Sequence, residues 1–296
     1  MSVTLRQMEV LVAVVDEGSF GAAADSLQMS QSAVSHSLAT LESAAGAPLV
    51  TRTPTILSTD LGEAILAHAR RVLASARALD ATILGHRGAV AVGTIRLAAG
   101  VTASHRLVPE LLIRWRAELP GLDVRLFEGS DDELEAWLES GAVDAAVLVD
   151  PDPPAHGAVI LAHDDFRAVL RSDHPLAQEA RINLADLAED PLLTSTSGCE
   201  PQITTLHAMA GSNYAPAQRV HETSTLLGMI AAGLGVAIMP ALALTMLPEN
   251  LVMIELEQYL ERTLVFTGPA ERPWHPSVER MRDIAKSPAA ILSIVP

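Results

Sequence analysis

Residues 19–53 read SFGAAADSLQMSQSAVSHSLATLESAAGAPLVTRT, and the spacing inside that stretch decides how the chain begins. Ser19 stands where a helix N-cap belongs, and Phe20, Ala23, Ala24 and Leu27 follow at intervals of three and four. Ser30 is a second cap, followed by Val34, Leu38 and Leu41 at i, i+4 and i+7. Only Gln28 and Met29 separate the two helices. With its apolar stripe turned inward, the second helix carries Gln31, Ser32, Ser35 and His36 on its outer face. That is a helix-turn-helix pattern. Upstream, Leu5, Met8, Leu11, Val12 and Val15 place one further helix, which Gly18 stops.

Outward from this head, a long helix is expected from Thr59 to about Leu84. Leu61, Ile65, Val72, Ala76, Leu79 and Ile83 form an apolar stripe along it. At about 1.5 Å per residue it reaches roughly 40 Å, and a helix of that kind calls for a partner helix. A homodimer through this helix is the expectation. Gly85, Gly88 and Gly93 then mark a joint, so the units are a head at 1–58, a linker at 59–90 and a body at 91–296.

After residue 93 strands and helices alternate, the grammar of an α/β sheet. The two successive α/β runs predict two lobes joined by two crossing strands. The first takes in 91–162 and 267–296, the second 163–266. The run TLLGMIAAGLGVAIMPALALTML (225–247) is long enough for a membrane but is interrupted by Gly228, Gly233, Gly235 and Pro240. It is read as a short helix at 225–232, a glycine turn and a buried strand at 236–239, with no membrane partner.

Composition agrees. Of 296 residues 49% are hydrophobic and 3% aromatic, so the core is aliphatic and disorder is excluded. Cys199 is the only cysteine, which excludes a disulfide scaffold. The opening MSVTLRQMEV has no basic stretch before an apolar run, so a cytoplasmic setting is expected. No G-x-S-x-G, phosphate-loop or H-E-x-x-H motif occurs, and no metal-ligand spacing. Neither an enzyme nor a cofactor is expected. The adjacent Asp164 and Asp165 are read as a solvated turn.

The run quoted above, followed by TDLGEAILAHARRVL (59–73), resembles the N-terminal domain of LysR-type transcriptional regulators, and LLGMIAAGLGVAIMP (226–240) resembles their effector-binding domain. The resemblance implies an α+β multidomain chain. Its parts are a winged helix-turn-helix, a long linker helix and a two-lobed α/β domain like a periplasmic binding protein. It also implies a regulator that binds promoter DNA as a homodimer or homotetramer and responds to a small molecule.

For DNA, the resemblance implies Ser30, Gln31, Ser32, Ser35 and His36 of the recognition helix and Arg52 of the wing. The family usually has arginine at the position of His36 and phenylalanine at that of Val50. Residues 1–58 carry two arginines against five carboxylates, a formal −3, so a shallow salt slope is expected.

Ligands of open α/β sheets sit beyond the carboxyl ends of the strands. That rule nominates Thr102, Ala103, Ser104, Ser130, Thr196, Ser197, Gly198, Cys199 and Ser224, with Thr223 and Thr225. Hydroxyls and helix N-termini there would suit a small anion as effector. Two alternatives stand beside this reading: a solute-binding protein, and a redox-responsive regulator using Cys199.

Overall fold

The structure is a computed structural model and describes residues 3–51, 56–87 and 92–286. The head holds α1 (Leu5–Asp16), α2 (Phe20–Ser26) and α3 (Gln31–Ala45). Thr4, Ser19 and Ser30 cap them, each side chain accepting a backbone N–H of the first turn. Gly18 (φ 65°) and Gly46 (φ 79°) take the left-handed conformation just beyond α1 and α3, where a side chain would be strained. Val34, Leu38 and Leu41 are buried as expected. In α1, though, the inward face is Val10, Leu11 and Val14, while Leu5 is exposed. Val50 and Ser58 meet through an isolated antiparallel bridge.

Helix α4 (Asp60–His86) is capped by Thr59 and packs on α1 of the head. Its buried residues are Gly62, Leu66, Ala69, Leu73, Ala74 and Ala78. Of the stripe read from the sequence, Leu61, Val72, Leu79 and Ile83 are exposed on another face, while Ile65 and Ala76 are half-buried and Ile65 packs against the head core. The helix therefore has two apolar faces. Small residues and leucines meet its own chain, and larger side chains remain uncovered.

The body alternates strands and helices: β1 (Gly93–Ala99), α5 (Val101–Arg106), α6 (Val108–Glu118), β2 (Leu122–Glu128), α7 (Asp131–Ser140), β3 (Ala145–Val149) and β4 (Val159–Asp164). The second lobe follows with β5 (Phe166–Arg171), β6 (Arg181–Ile182), β7 (Leu193–Ser195), α8 (Glu200–Met209), β8 (Gln218–Val220), α9 (Thr223–Ala231), β9 (Ala237–Pro240) and β10 (Leu251–Leu256). Then come β11 (Arg262–Thr267) and α10 (Pro276–Ala285). The uncharged run is thus α9, a glycine turn and β9. Among the described residues no helix is long and apolar enough to cross a membrane.

One sheet has the order β2-β1-β3-β11-β4 and the other β6-β10-β5-β9, with β7 and β8 forming a separate pair. Strand β11 runs antiparallel to both β3 and β4. This corrects the sequence-based lobe boundary, because residues 262–266 belong to the first sheet, as does β4 through Asp164. Alternating apolar residues mark a strand, but both sheets offer an apolar core, so the pattern alone does not choose between them. The chain crosses between lobes at 164–166 and returns before Arg262. Each lobe has its own core, one around Trp115 and Phe266, the other around Leu170 and Leu206.

Candidate DNA-reading face and interlobe cleft

On α3, Gln31, Ser32 and His36 are exposed and Ser35 is half-buried on the same side. The Ser30 hydroxyl accepts the Ala33 N–H (3.2 Å) and lies 3.0 Å from that of Ser32, so it shapes the helix start. Arg6 pairs with Glu9 and donates to the Leu27 carbonyl, which ties α1 to the end of α2. Arg52 lies outside the described residues.

Between the lobes lies a small inner cavity of about 40 Å³, to which both lobes contribute. Thr102 and Ala103 line it from α5, Asp131 from α7, Ser197 and Cys199 from the loop before α8, and Arg262 from β11. A wider outer chamber of about 310 Å³ shares Val101, Ser197 and Thr223 with it and adds Glu128, Ser130, His221, Glu222 and Ser224.

Arg262 organises the inner cavity. Its Nε and Nη2 donate to the two oxygens of Asp164 at 2.8 and 2.9 Å. Nη2 also reaches Thr102 Oγ1 at 3.4 Å, and Nη1 reaches Cys199 Sγ at 3.8 Å. The guanidinium further lies 5.9 Å from the centre of the Phe166 ring. Burial works against the charge of Arg262, but Asp164, with Cys199 and Asp131, more than offsets it and holds the guanidinium above its ordinary value. Burial pushes the Cys199 thiol up to about 11, against the pull of Arg262. Burial likewise pushes Asp131 up to about 6, again opposed by Arg262.

Asp131 is the first residue of α7 and faces glycine across the cleft. A Cβ placed on Gly198 would come within 2.5 Å of Asp131 Oδ2. At the start of α7 the Glu133 carboxylate accepts both the Ser130 N–H and the Ser130 hydroxyl at 2.9 Å.

A model of the bacterial regulatory helix-turn-helix domain of the lysR family matches residues 5–63, and a model of the LysR substrate binding domain matches 88–289. The chain is a member of the LysR family of transcriptional regulators. The HTH-type transcriptional regulator YvbU of Bacillus subtilis is 31% identical over 90% of this chain and 92% of its own. A hydrogen peroxide-inducible genes activator of Pectobacterium carotovorum is 30% identical over 81% and 80%. Among solved structures, a full-length OxyR variant from Pseudomonas aeruginosa superposes with a TM-score of 0.74 at 23% identity, covering 100% of this chain and 97% of that one. Full-length CbnR complexed with its target DNA gives 0.67 at 23%, covering 96% and 99%. These two likenesses concern the fold. As a LysR regulator, this chain is a DNA-binding transcription factor with an effector-binding domain, and the family is not one of enzymes.

Of the cleft residues nominated for this LysR regulator, the fold brings Thr102, Ala103, Ser197 and Cys199 to the inner cavity and Ser130 and Ser224 to the outer chamber. Gly198 meets Asp131. Ser104 is turned away: it is buried, and its hydroxyl faces the Ala99 carbonyl (3.4 Å) inside the first lobe. The Thr196 hydroxyl lies 3.3 Å from His221 Nδ1 at the surface and lines neither chamber. Thr225 also lines neither, since α9 begins at Thr223 and that residue takes the cleft position.

Sequence reasoning missed Arg262, Asp131 and Asp164. Asp164 is no solvated turn: its side chain is wholly buried, and its Oδ2 also accepts the Leu242 N–H. An arginine opening an otherwise uncharged strand was the available signal, because such a charge has to find a buried partner.

Proposed function

We propose that this regulator reads promoter DNA with the exposed face of α3 and is controlled by a small-molecule effector held between its two lobes. The observation that carries the reading is Arg262, a first-lobe residue that touches Thr102 of its own lobe and Cys199 of the other. A ligand at that point contacts both lobes, so it binds their closed arrangement better than the open one. Closure changes how effector domains pack together and hence the spacing of the reading heads.

The uncovered stripe of Leu61, Val72, Leu79 and Ile83 supports a homodimer through α4, with a homotetramer assembled from dimers. The setting is the cytoplasm, where the DNA is. The recognition residues are Gln31, Ser32, Ser35 and His36, with Ser30 holding the helix start and Arg52 completing the set from the wing.

A redox reading draws on the peroxide-inducible activators among the relatives and on the contact between Arg262 and Cys199. Against it, burial keeps the thiol protonated and the sequence has no second cysteine to resolve a sulfenic acid. We assign Cys199 to the cavity wall.

Footprinting on DNA recovered with the protein from cells tests the reading. Gln31→Ala with Ser35→Ala abolishes the specific footprint while effector-domain folding is kept. Thr102→Val with Ser197→Ala keeps the footprint but removes its change on adding cell extract. A double cleft variant that still responds like wild type overturns the assignment.

A further inference from the structure

We propose that the effector of this regulator is a small cation, an alkylammonium-type amine, seated with its charge against Asp131. The inference rests on the cleft being the effector site and concerns what that cleft selects. The two chambers bring together the carboxylates of Asp131, Glu128 and Glu222. Their basic side chains are His221 and Arg262, and both oxygens of Asp164 already engage the Arg262 guanidinium. An anion entering would meet three carboxylates, and the arginine there is already paired with Asp164. This reverses the expectation, drawn from hydroxyls and helix starts, of an anionic effector. At the start of α7 the Glu133 carboxylate accepts the Ser130 N–H and the Ser130 hydroxyl, so a negative charge already sits beside that helix end.

Two groups facing the cavity are left without partners. Thr223 is 7% exposed and lines both chambers, and among the described residues its hydroxyl makes no hydrogen bond. Asp131 makes neither a hydrogen bond nor a close ion pair among them, and Arg262 is its one opposing influence. Arg262 opposes the burial of this carboxyl but does not touch it, so no cation pairs with it directly. An ammonium group supplies that charge and donates three hydrogen bonds, enough to serve Asp131 and Thr223 together. The rest of the wall is aliphatic, with Val147, Val149, Ile238 and Leu264 available to a short alkyl chain.

The test compares butylamine, butyramide and butyrate, which share one length and differ in charge, by calorimetric titration of the full-length protein at neutral pH. Butylamine binds roughly tenfold more tightly than butyramide, a difference of about 1.4 kcal/mol, and butyrate binds most weakly. Asp131→Asn brings the amine and the amide to equal affinity, and Glu222→Gln lowers the amine alone. Butyrate binding as well as butylamine overturns the charge assignment and leaves the cleft reading standing, as does an Asp131→Asn protein that keeps the amine preference. Failure of all three to bind at millimolar concentration also overturns the assignment. Ser197→Trp fills the passage between the chambers. If butylamine binding survives it, the amine sits elsewhere and the cleft reading falls as well.

Discussion

Arg262 and Asp164 stand 98 residues apart in the chain and meet as a bidentate pair, buried at the two points where it passes between lobes. Asp164 closes β4 just before the outgoing crossing, and Arg262 opens β11 just after the return. The pair ties together the strand ends from which both crossings spring. It also holds Arg262 in place to touch Thr102 and Cys199.

Removing one member of this pair leaves the other charge buried alone. Arg262→Met is therefore expected to cost about 3–5 kcal/mol in urea unfolding. Asp164→Asn added to it removes the stranded charge and keeps an acceptor for the Leu242 N–H, so the double variant recovers most of the loss. Equal stability of the single and double variants would sink the idea that the buried charge matters.

Asp131 makes stability depend on pH. Its folded value of about 6 lies above the ordinary 3.8, so the native protein holds this proton more tightly than the unfolded chain does. The stabilisation is complete below the ordinary value and is lost as pH rises through about 6. Two units correspond to roughly 3 kcal/mol, less what partial exposure screens. Asp131→Asn is accordingly more stable than wild type at neutral pH, and the gap closes near pH 4. A gap that does not change with pH contradicts the burial of this carboxyl.

What was legible in the sequence is what short-range periodicity encodes. The caps Ser19 and Ser30 and the i, i+4, i+7 series of α3 are local, and they fold as read. The linker helix shows the limit, because α4 has two apolar faces. The larger side chains draw attention to the uncovered one, while Ala69, Ala74 and Ala78 mark the packed one quietly. The cleft hydroxyls follow from strand ends and helix starts, so Thr102 and Ser197 could be found. Arg262 and Asp164 could not be paired, since nothing in a linear pattern says that β11 returns to the first sheet. Ser104, one residue beyond Ala103 on the short helix α5, turns inward because consecutive helical residues point in different directions.

Cys199 should be sluggish as a nucleophile. With the thiol pushed up to about 11 from an ordinary 9.0, its thiolate fraction at neutral pH falls by about a hundredfold. Alkylation by iodoacetamide in the folded protein is expected to be slower than in urea by about that factor, beyond any shielding. Cys199→Ser should still respond to effector, since no sulfur chemistry is required of this wall position. Rapid modification of the native thiol by hydrogen peroxide, followed by mass spectrometry, would instead revive the redox reading.

The last prediction concerns Gly62, where the linker helix leaves the head. A Cβ at this position would lie 1.9 Å from the Leu49 carbonyl oxygen, which backbone cannot yield cheaply. That carbonyl is itself fixed, because it accepts the Thr59 N–H at 3.0 Å while the Leu49 N–H donates to Glu42 Oε1 at 2.9 Å. Gly62→Ala must therefore push the first turn of α4 away from the head, although alanine is the better helix former. Overpacking of this kind costs about 1–3 kcal/mol, and Leu66, one turn further along, would lose its seat in the head core. In the proposed dimer through α4, the tilt of that helix also sets how far apart two reading heads stand. Gly62→Ala should lower the melting of the head, leave that of the effector domain unchanged and weaken binding to paired half-sites far more than to a single one. Gel shifts on the two DNAs decide it. Equal loss on both would mean that the head alone is damaged and that Gly62 does not set the spacing.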